Sequence, residues 1–270
     1  MPHARVNDVN LYYEIHGSGP PLVLLMGLGG NLAMWDPEFI DGLAQHFRVL
    51  AFENRGTGRS DKPDHPYAIH TFSNDAAALL NTLGMPRAHI VGASMGGMIA
   101  LQLALDHPDC IDGLVLCCTT PGGPQITPPS LKTLEAIANT DGLSAAEATR
   151  KNRRFAFTPG FIAAHEDYLE AKLVAEIEYP TPPYALARHF AAAVQFNVYD
   201  RLSEIRHRTL VMVGREDLMV PAPNSVLLAH RIPNADLVMY ANAGHGFLTE
   251  RRQNCLDAIV GFLARNSAES

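Results

Sequence analysis

His89-Ile90-Val91-Gly92-Ala93-Ser94-Met95-Gly96-Gly97 carries an apolar run into a glycine-flanked serine and out into a helical pattern. The run 89–92 is continuous rather than alternating, as expected of a strand covered on both faces. Residues 95–105 then follow helical spacing. The serine between them has the form G-x-S-x-G in a strand–turn–helix setting. A turn this tight forces the serine into a strained backbone conformation, and a Cβ at either flanking position would clash with the neighbouring strand or helix. It leaves the Ser94 hydroxyl exposed at a helix N-terminus, where free N–H groups favour developing negative charge.

Similar apolar runs lie on both sides, at 22–26, 48–52, 114–118, 210–213 and 237–240. Helical patterns separate most of them, for example 74–83. At the N-terminus 6–16 alternates and turns at Gly17-Ser18-Gly19-Pro20-Pro21, which suggests a hairpin feeding a third strand. Strands alternating with helices imply an α/β fold, here a mostly parallel eight-stranded sheet with helices on both faces. The alternation breaks between 121 and 200. That stretch opens with Pro121, Pro124, Pro128 and Pro129, reads as helices without buried strands, and closes with a helix near 184–196. Residues 1–120 and 201–270 are therefore expected to form the core domain. Residues 121–200 are expected to form a helical lid, inserted after the sixth strand, over the sheet edge where ligands bind.

Composition limits the function classes. The 270 residues are 47% hydrophobic and 18% charged, enough for a full core and too apolar for a disordered chain. The net charge is -7 with the charges interspersed, and no basic stripe marks a nucleic-acid binder. The polar start at 1–5 has no apolar core, and the early apolar run 21–26 is far below the roughly 20 residues of a membrane span. The cysteines are Cys110, Cys117, Cys118 and Cys255, with no CxxC pair, and Cys117-Cys118 reads as part of a buried strand. A reduced, cytoplasmic protein without metal or cofactor is the expectation.

A serine hydroxyl is a poor nucleophile without a base to take its proton. Of twelve histidines, His245 stands between glycines just beyond the last strand run, where small neighbours let a loop place its ring over the sheet edge. His16, His89, His107 and His207 sit at element ends and fit structural roles.

Further ordered motifs surround the Ser94 turn. They are Met26-Gly27-Leu28-Gly29-Gly30, Arg55-Gly56-Thr57-Gly58-Arg59-Ser60, Gly214-Arg215-Glu216-Asp217 and Gly244-His245-Gly246. With them the chain resembles α/β-hydrolase-fold serine hydrolases over nearly its whole length outside the lid. It is similar in pattern to 3-oxoadipate enol-lactonases and small carboxylesterases. Met-Gly-Leu-Gly-Gly followed by Trp35 also resembles methylesterases acting on polyketides. The resemblance implies a triad in the order Ser94, Asp217, His245, with the acid at Asp217 rather than the neighbouring Glu216. It further implies oxyanion donors at the backbone N–H groups of Met95 and Leu28. Two positions depart from the family pattern: Met26 stands where a histidine is usual, and Glu53 where many relatives have aspartate. Met26 leaves open what braces the loop carrying Leu28.

The sequence is informative about chemistry and poor about substrate. A serine nucleophile excludes the aspartate-nucleophile relatives, the haloalkane dehalogenases and epoxide hydrolases. Hydrolysis of a small, largely apolar ester or lactone is the leading expectation. Carbon–carbon hydrolysis of ring-cleavage products and cofactor-free perhydrolysis are the enzymatic alternatives, and a noncatalytic ligand binder is the other class. Trp35, Phe157, Phe161 and Phe247 are the pocket candidates. Arg153 and Arg154 would either grip a substrate carboxylate or form solvated surface.

Overall fold

The structure is a computed structural model and describes residues 2–264. Its first half runs β1 His3–Val6, β2 Val9–His16, β3 Pro21–Leu25, α1 Pro37–Ala44 and β4 Arg48–Phe52. It continues through α2 Ile69–Thr82, β5 Ala88–Ala93, α3 Met95–Asp106 and β6 Ile111–Cys117. Five helices follow without a named strand: α4 Leu131–Ala138, α5 Ala145–Ala156, α6 Pro159–Ala164, α7 Glu166–Glu176 and α8 Pro183–Gln195. The chain ends with β7 Thr209–Gly214, α9 Pro223–Arg231, β8 Ala235–Tyr240, α10 Phe247–Glu250 and α11 Arg252–Ala264.

The eight strands form one sheet in the order β1-β2-β4-β3-β5-β6-β7-β8. β1 and β2 are an antiparallel hairpin, β2 pairs antiparallel with β4, and every later pairing is parallel. The hairpin turns at Asn7, whose φ of 48° suits asparagine. It starts at His3, earlier than 6–16 suggested, because the polar residues of β1 alternate with buried Ala4 and Val6. α2 also starts before the expected 74: its N-cap, Ala68, makes no side-chain hydrogen bond, so the sequence carries no start signal there.

The strands read as continuous apolar runs because both faces are covered. Val23 and Leu25 of β3 pack with Phe72, Leu79, Ile99 and Leu103 of α2 and α3. Leu22 and Leu24 point the other way, into a core shared with Phe39, Leu43, Ile259 and Phe262 of α1 and α11. Arg55, itself buried, ties the loop after β4 to α2 through two bonds to Asp75, at 2.6 and 2.8 Å. No helix among the described residues is long and apolar enough to cross a membrane.

The helical insertion leaves and rejoins the core at one place. Gly122 bridges Asn197, and the Val198 N–H donates to the Pro121 carbonyl at 2.9 Å. The register aligns the strands so that Leu25 pairs with Gly92, Ala93 with Cys117, Cys117 with Met212 and Gly214 with Tyr240. The segments after β3, β5, β6, β7 and β8 therefore all leave one carboxyl edge, on the side where the expected site residues stand.

Close packing at that edge explains the glycines. A Cβ on Gly96 would overlap the Leu25 carbonyl oxygen, and one on Gly92 would overlap Gly96 itself. Gly160, in α6, meets nothing within 4 Å. Gly96→Ala should therefore lower stability by about 3 kcal/mol or more, the upper end for overpacking. Gly160→Ala should be neutral or raise stability by up to ~1 kcal/mol. Chemical denaturation of both variants checks the contrast, and equal effects would contradict the packing account.

Candidate active site

Ser94 connects β5 to α3 with φ 56° and ψ -121°, outside the basins open to ordinary side chains. Its N–H donates to the Cys117 carbonyl at 2.9 Å, and its own carbonyl accepts from the Gly97 N–H at 2.9 Å and the Thr119 hydroxyl at 2.7 Å. The loop after β3 passes close above it: a Cβ on Gly27 would lie 3.1 Å from the Ser94 Cβ. Met95 is the first residue of α3, and the first N–H groups of a helix have no acceptor within it.

Asp217 lies in the turn after β7, 5% exposed. Its Oδ1 accepts the Met219 and Val220 N–H groups, both at 2.8 Å, and its Oδ2 is 2.7 Å from His245 Nδ1. A carboxylate only accepts, so Nδ1 carries the proton, and on the neutral ring Nε2 is the basic nitrogen. Glu216 does something else: its carboxylate takes the Ala243 N–H at 2.9 Å and steadies the loop that carries His245. Glu250 adds to this from α10, accepting from the Gly244 N–H at 2.5 Å. It also accepts the Thr158 N–H and hydroxyl at 2.7 and 2.8 Å. The Gly246 N–H reaches the Ala156 carbonyl at 2.6 Å, so the end of α5 is fastened to the His245 loop.

The His245 side chain is 13% exposed. Burial opposes charge on the ring, but the contacting Asp217 carboxylate and the neighbouring Cys118 outweigh it and hold His245 well above the usual imidazole range. Cys118 is a residue whose place the sequence reading missed. β6 stops at Cys117, and Cys118 leaves the strand with φ 42°. Among the described residues Cys118, Asp217 and His245 form a group whose potential ligand atoms all lie within 4.8 Å. The segments after three separate strands supply them, so no spacing along the chain reveals the group.

The loop carrying Leu28 is braced without a histidine at 26. Asn54 Nδ2 donates to the Met26 carbonyl at 3.2 Å, and Glu53 accepts from the Leu32 N–H at 3.2 Å. Glu53 also takes the Arg59 guanidinium at 2.8 Å, giving this departure a structural role. From the insertion, Lys172 Nζ donates to the carbonyls of Ala33 and Met34 at 2.7 and 2.9 Å.

The pocket candidates divide. Trp35 and Phe247 are core residues, 3% and 0% exposed, stacked on Phe39 and Tyr240 respectively, and this corrects their reading as pocket lining. Phe157 and Phe161 are half-buried and stacked on each other at 5.4 Å, with the Phe157 ring against Gly246, next to His245. Arg153 is engaged by Glu170 at 2.6 Å, while Arg154 is exposed and lies over the Phe155 ring.

This architecture and edge are those of a known family. The family model for the alpha/beta hydrolase fold matches residues 20–251, and the chain belongs to that family. It is 33% identical to the putative carbamate hydrolase RutD of Caulobacter sp. (strain K31), covering 96% of this chain and 97% of that one. Among solved structures it resembles the enol-lactonase from Burkholderia xenovorans LB400, with a TM-score of 0.83 and 28% identity over 97% and 100% of the two chains. Est816, described as an N-acyl homoserine lactone degrading enzyme, is 32% identical with a TM-score of 0.80, over 97% and 100% of the two chains. These likenesses support hydrolase activity.

If His245 accepts a proton during turnover, it must be neutral, and activity must fall as pH drops through its pKa. kcat/KM should rise with pH along a limb centred above the ordinary value of about 6.5. Asp217→Asn removes the larger of the two causes that raise the ring, leaving Cys118 against burial, so its limb should move to lower pH and its rate fall by roughly 10⁴-fold. Glu216→Gln should lose far less. A pH–rate profile of the three proteins checks this; an unmoved limb in Asp217→Asn would contradict the assignment.

Proposed function

We propose that this protein is a serine hydrolase that cleaves a carboxylic ester or lactone of a small, largely apolar molecule through Ser94, His245 and Asp217. The observation that carries the reading is the 2.7 Å Asp217–His245 hydrogen bond on the sheet edge from which the strained Ser94 also projects. In this reading His245 Nε2 takes the Ser94 proton as Oγ adds to the substrate carbonyl. The negative oxygen is met by the N–H groups of Leu28 and Met95, fixed before the reaction begins. The imidazolium, steadied by Asp217, returns the proton to the leaving alkoxide. Water then attacks the acyl-serine by the same route. Residues 121–200 act as a lid, with Phe157 and Phe161 offering apolar surface near His245. The chemistry needs no cofactor.

The named activities of the relatives support acyl transfer at a carbonyl: enol-lactone, acyl-homoserine lactone and, for RutD, carbamate. The carbamate is the second reading, favoured by 33% identity across almost the full length of both chains.

Wild type should hydrolyse p-nitrophenyl butyrate, and Ser94→Ala should fold normally while losing on the order of 10⁶-fold in kcat. A panel of lactones, a carbamate and a vinylogous diketone ranks the substrate classes by kcat/KM. EDTA should leave the rate unchanged, because Cys118, Asp217 and His245 act here as protein groups rather than metal ligands. A wild type without turnover would favour the noncatalytic binder. An active Ser94→Ala variant, or inhibition by EDTA, would overturn the mechanism.

A further inference from the structure

His189 sits in α8, the last helix of the insertion, and is 0% exposed. Its Nδ1 accepts the Gly29 N–H at 3.3 Å, and its Nε2 lies 2.8 Å from the Arg55 carbonyl. A carbonyl only accepts, so Nε2 carries the proton and Nδ1 is the acceptor. The ring packs edge-on against Phe72 at 4.9 Å and Tyr67 at 5.7 Å. A hydrogen-bonded, fully enclosed imidazole therefore joins the insertion to the loops after β3 and β4. Burial holds its pKa down to about 4, so it stays neutral, and a protonated ring would have no lone pair for Gly29.

Gly29 is held from the insertion on both polar atoms. While its N–H goes to His189, its carbonyl accepts the Thr181 hydroxyl at 2.8 Å. Gly29 has φ 68°, a conformation glycine adopts freely, so its orientation needs outside bonds to fix it. The Gly30 N–H is taken by the Gly27 carbonyl at 3.1 Å. With the N–H groups of Gly29 and Gly30 both engaged, that of Leu28 is left to face the reaction. The Gly27 carbonyl shares a peptide plane with the Leu28 N–H, so the bond it accepts from Gly30 sets the direction of that N–H. His189 and Thr181 hold the next two peptide planes of the same turn and so keep that bond in place.

The geometry points to His189, with Thr181, as a positioning residue that reaches from the insertion to aim the Leu28 oxyanion donor. The inference rests on the serine-hydrolase reading and adds to it: the insertion sets the rate of the chemical step as well as covering the site. A positioning role predicts an effect on the transition state with little effect on ground-state binding.

The test compares His189→Phe, His189→Gln and Thr181→Val with wild type and Ser94→Ala. Phenylalanine keeps the aromatic packing without the hydrogen bonds, whereas glutamine offers an acceptor and a donor at similar spacing. The probes are p-nitrophenyl butyrate and a trifluoromethyl ketone, to which a serine hydroxyl adds as a hemiketal oxyanion. His189→Phe should lower kcat by about 10–100-fold, part of the ~10²–10³-fold loss for a missing oxyanion donor. Its KM should hold, and its ketone Ki should rise in step with the fall in kcat/KM. His189→Gln should recover most of the loss, and Thr181→Val should show the same pattern more weakly.

Unchanged kcat in a folded His189→Phe variant overturns the inference. So does a slow variant with wild-type ketone affinity, or one that glutamine fails to restore, since either marks a merely structural role. If His189→Phe does not fold, Thr181→Val decides by the same kinetic readouts. If wild type ignores the ketone and Ser94→Ala stays active, the serine-hydrolase reading fails and takes this inference with it. A ketone-sensitive wild type and an inactive Ser94→Ala beside an unaffected His189→Phe sink the positioning role alone.

Discussion

Ser94 is held at φ 56° and ψ -121°, a conformation that costs on the order of 1–3 kcal/mol and persists only where the surroundings over-determine it. Those surroundings are closely packed. Leu25, at the end of β3, leaves no room for a side chain on Gly96, and the Gly96 carbonyl leaves none on Gly92. Thr119 crowds Gly97 in the same way and hydrogen-bonds the Ser94 carbonyl. The parallel register of β3, β5 and β6 makes this crowding possible, and the two apolar cores on either side of the sheet hold the register. Sheet, elbow and half-buried serine are thus one construction.

Around that fixed serine, the remaining groups are set by bonds from several strand ends. Asp217 is preoriented by two backbone N–H groups, which leaves its other oxygen for His245. Glu216 and Glu250, one from each side, tie down the backbone on which His245 rides. The insertion touches both halves of the site. It reaches the histidine loop through Ala156 and Thr158, and the loop after β3 through Lys172, Thr181 and His189. Burial holds the His189 imidazole down to about 4, so its bonds to Gly29 and Arg55 are those of a neutral ring.

Features encoded locally were legible in the sequence. Continuous apolar runs gave the parallel strands, and the glycine spacing around Ser94 gave the turn, because both follow from the residues immediately beside them. Glycines flanking His245 marked its loop for the same reason. What stayed hidden depends on contacts between distant segments. His189 meets Gly29 across 160 positions, and no pattern in α8 sets that histidine apart from an ordinary core residue. Cys118 read as strand because its neighbours are apolar, yet the strand ends one residue earlier and turns it toward His245. Trp35 and Phe247 misled in the opposite direction. Both stand beside reactive loops in sequence, but those loops need apolar anchors, and the core takes their rings.

The central claim is that the strained turn delivers Ser94 as the nucleophile of an acyl-transfer reaction. The most direct measurement is mass spectrometry of the protein after reaction with a p-nitrophenyl alkylphosphonate, which reports covalent attack at a single side chain. The account predicts one phosphonyl adduct per chain, mapped to Ser94, with loss of esterase activity proportional to labelling and protection by substrate. Turnover that survives complete labelling, or an adduct on any residue other than Ser94, would contradict it.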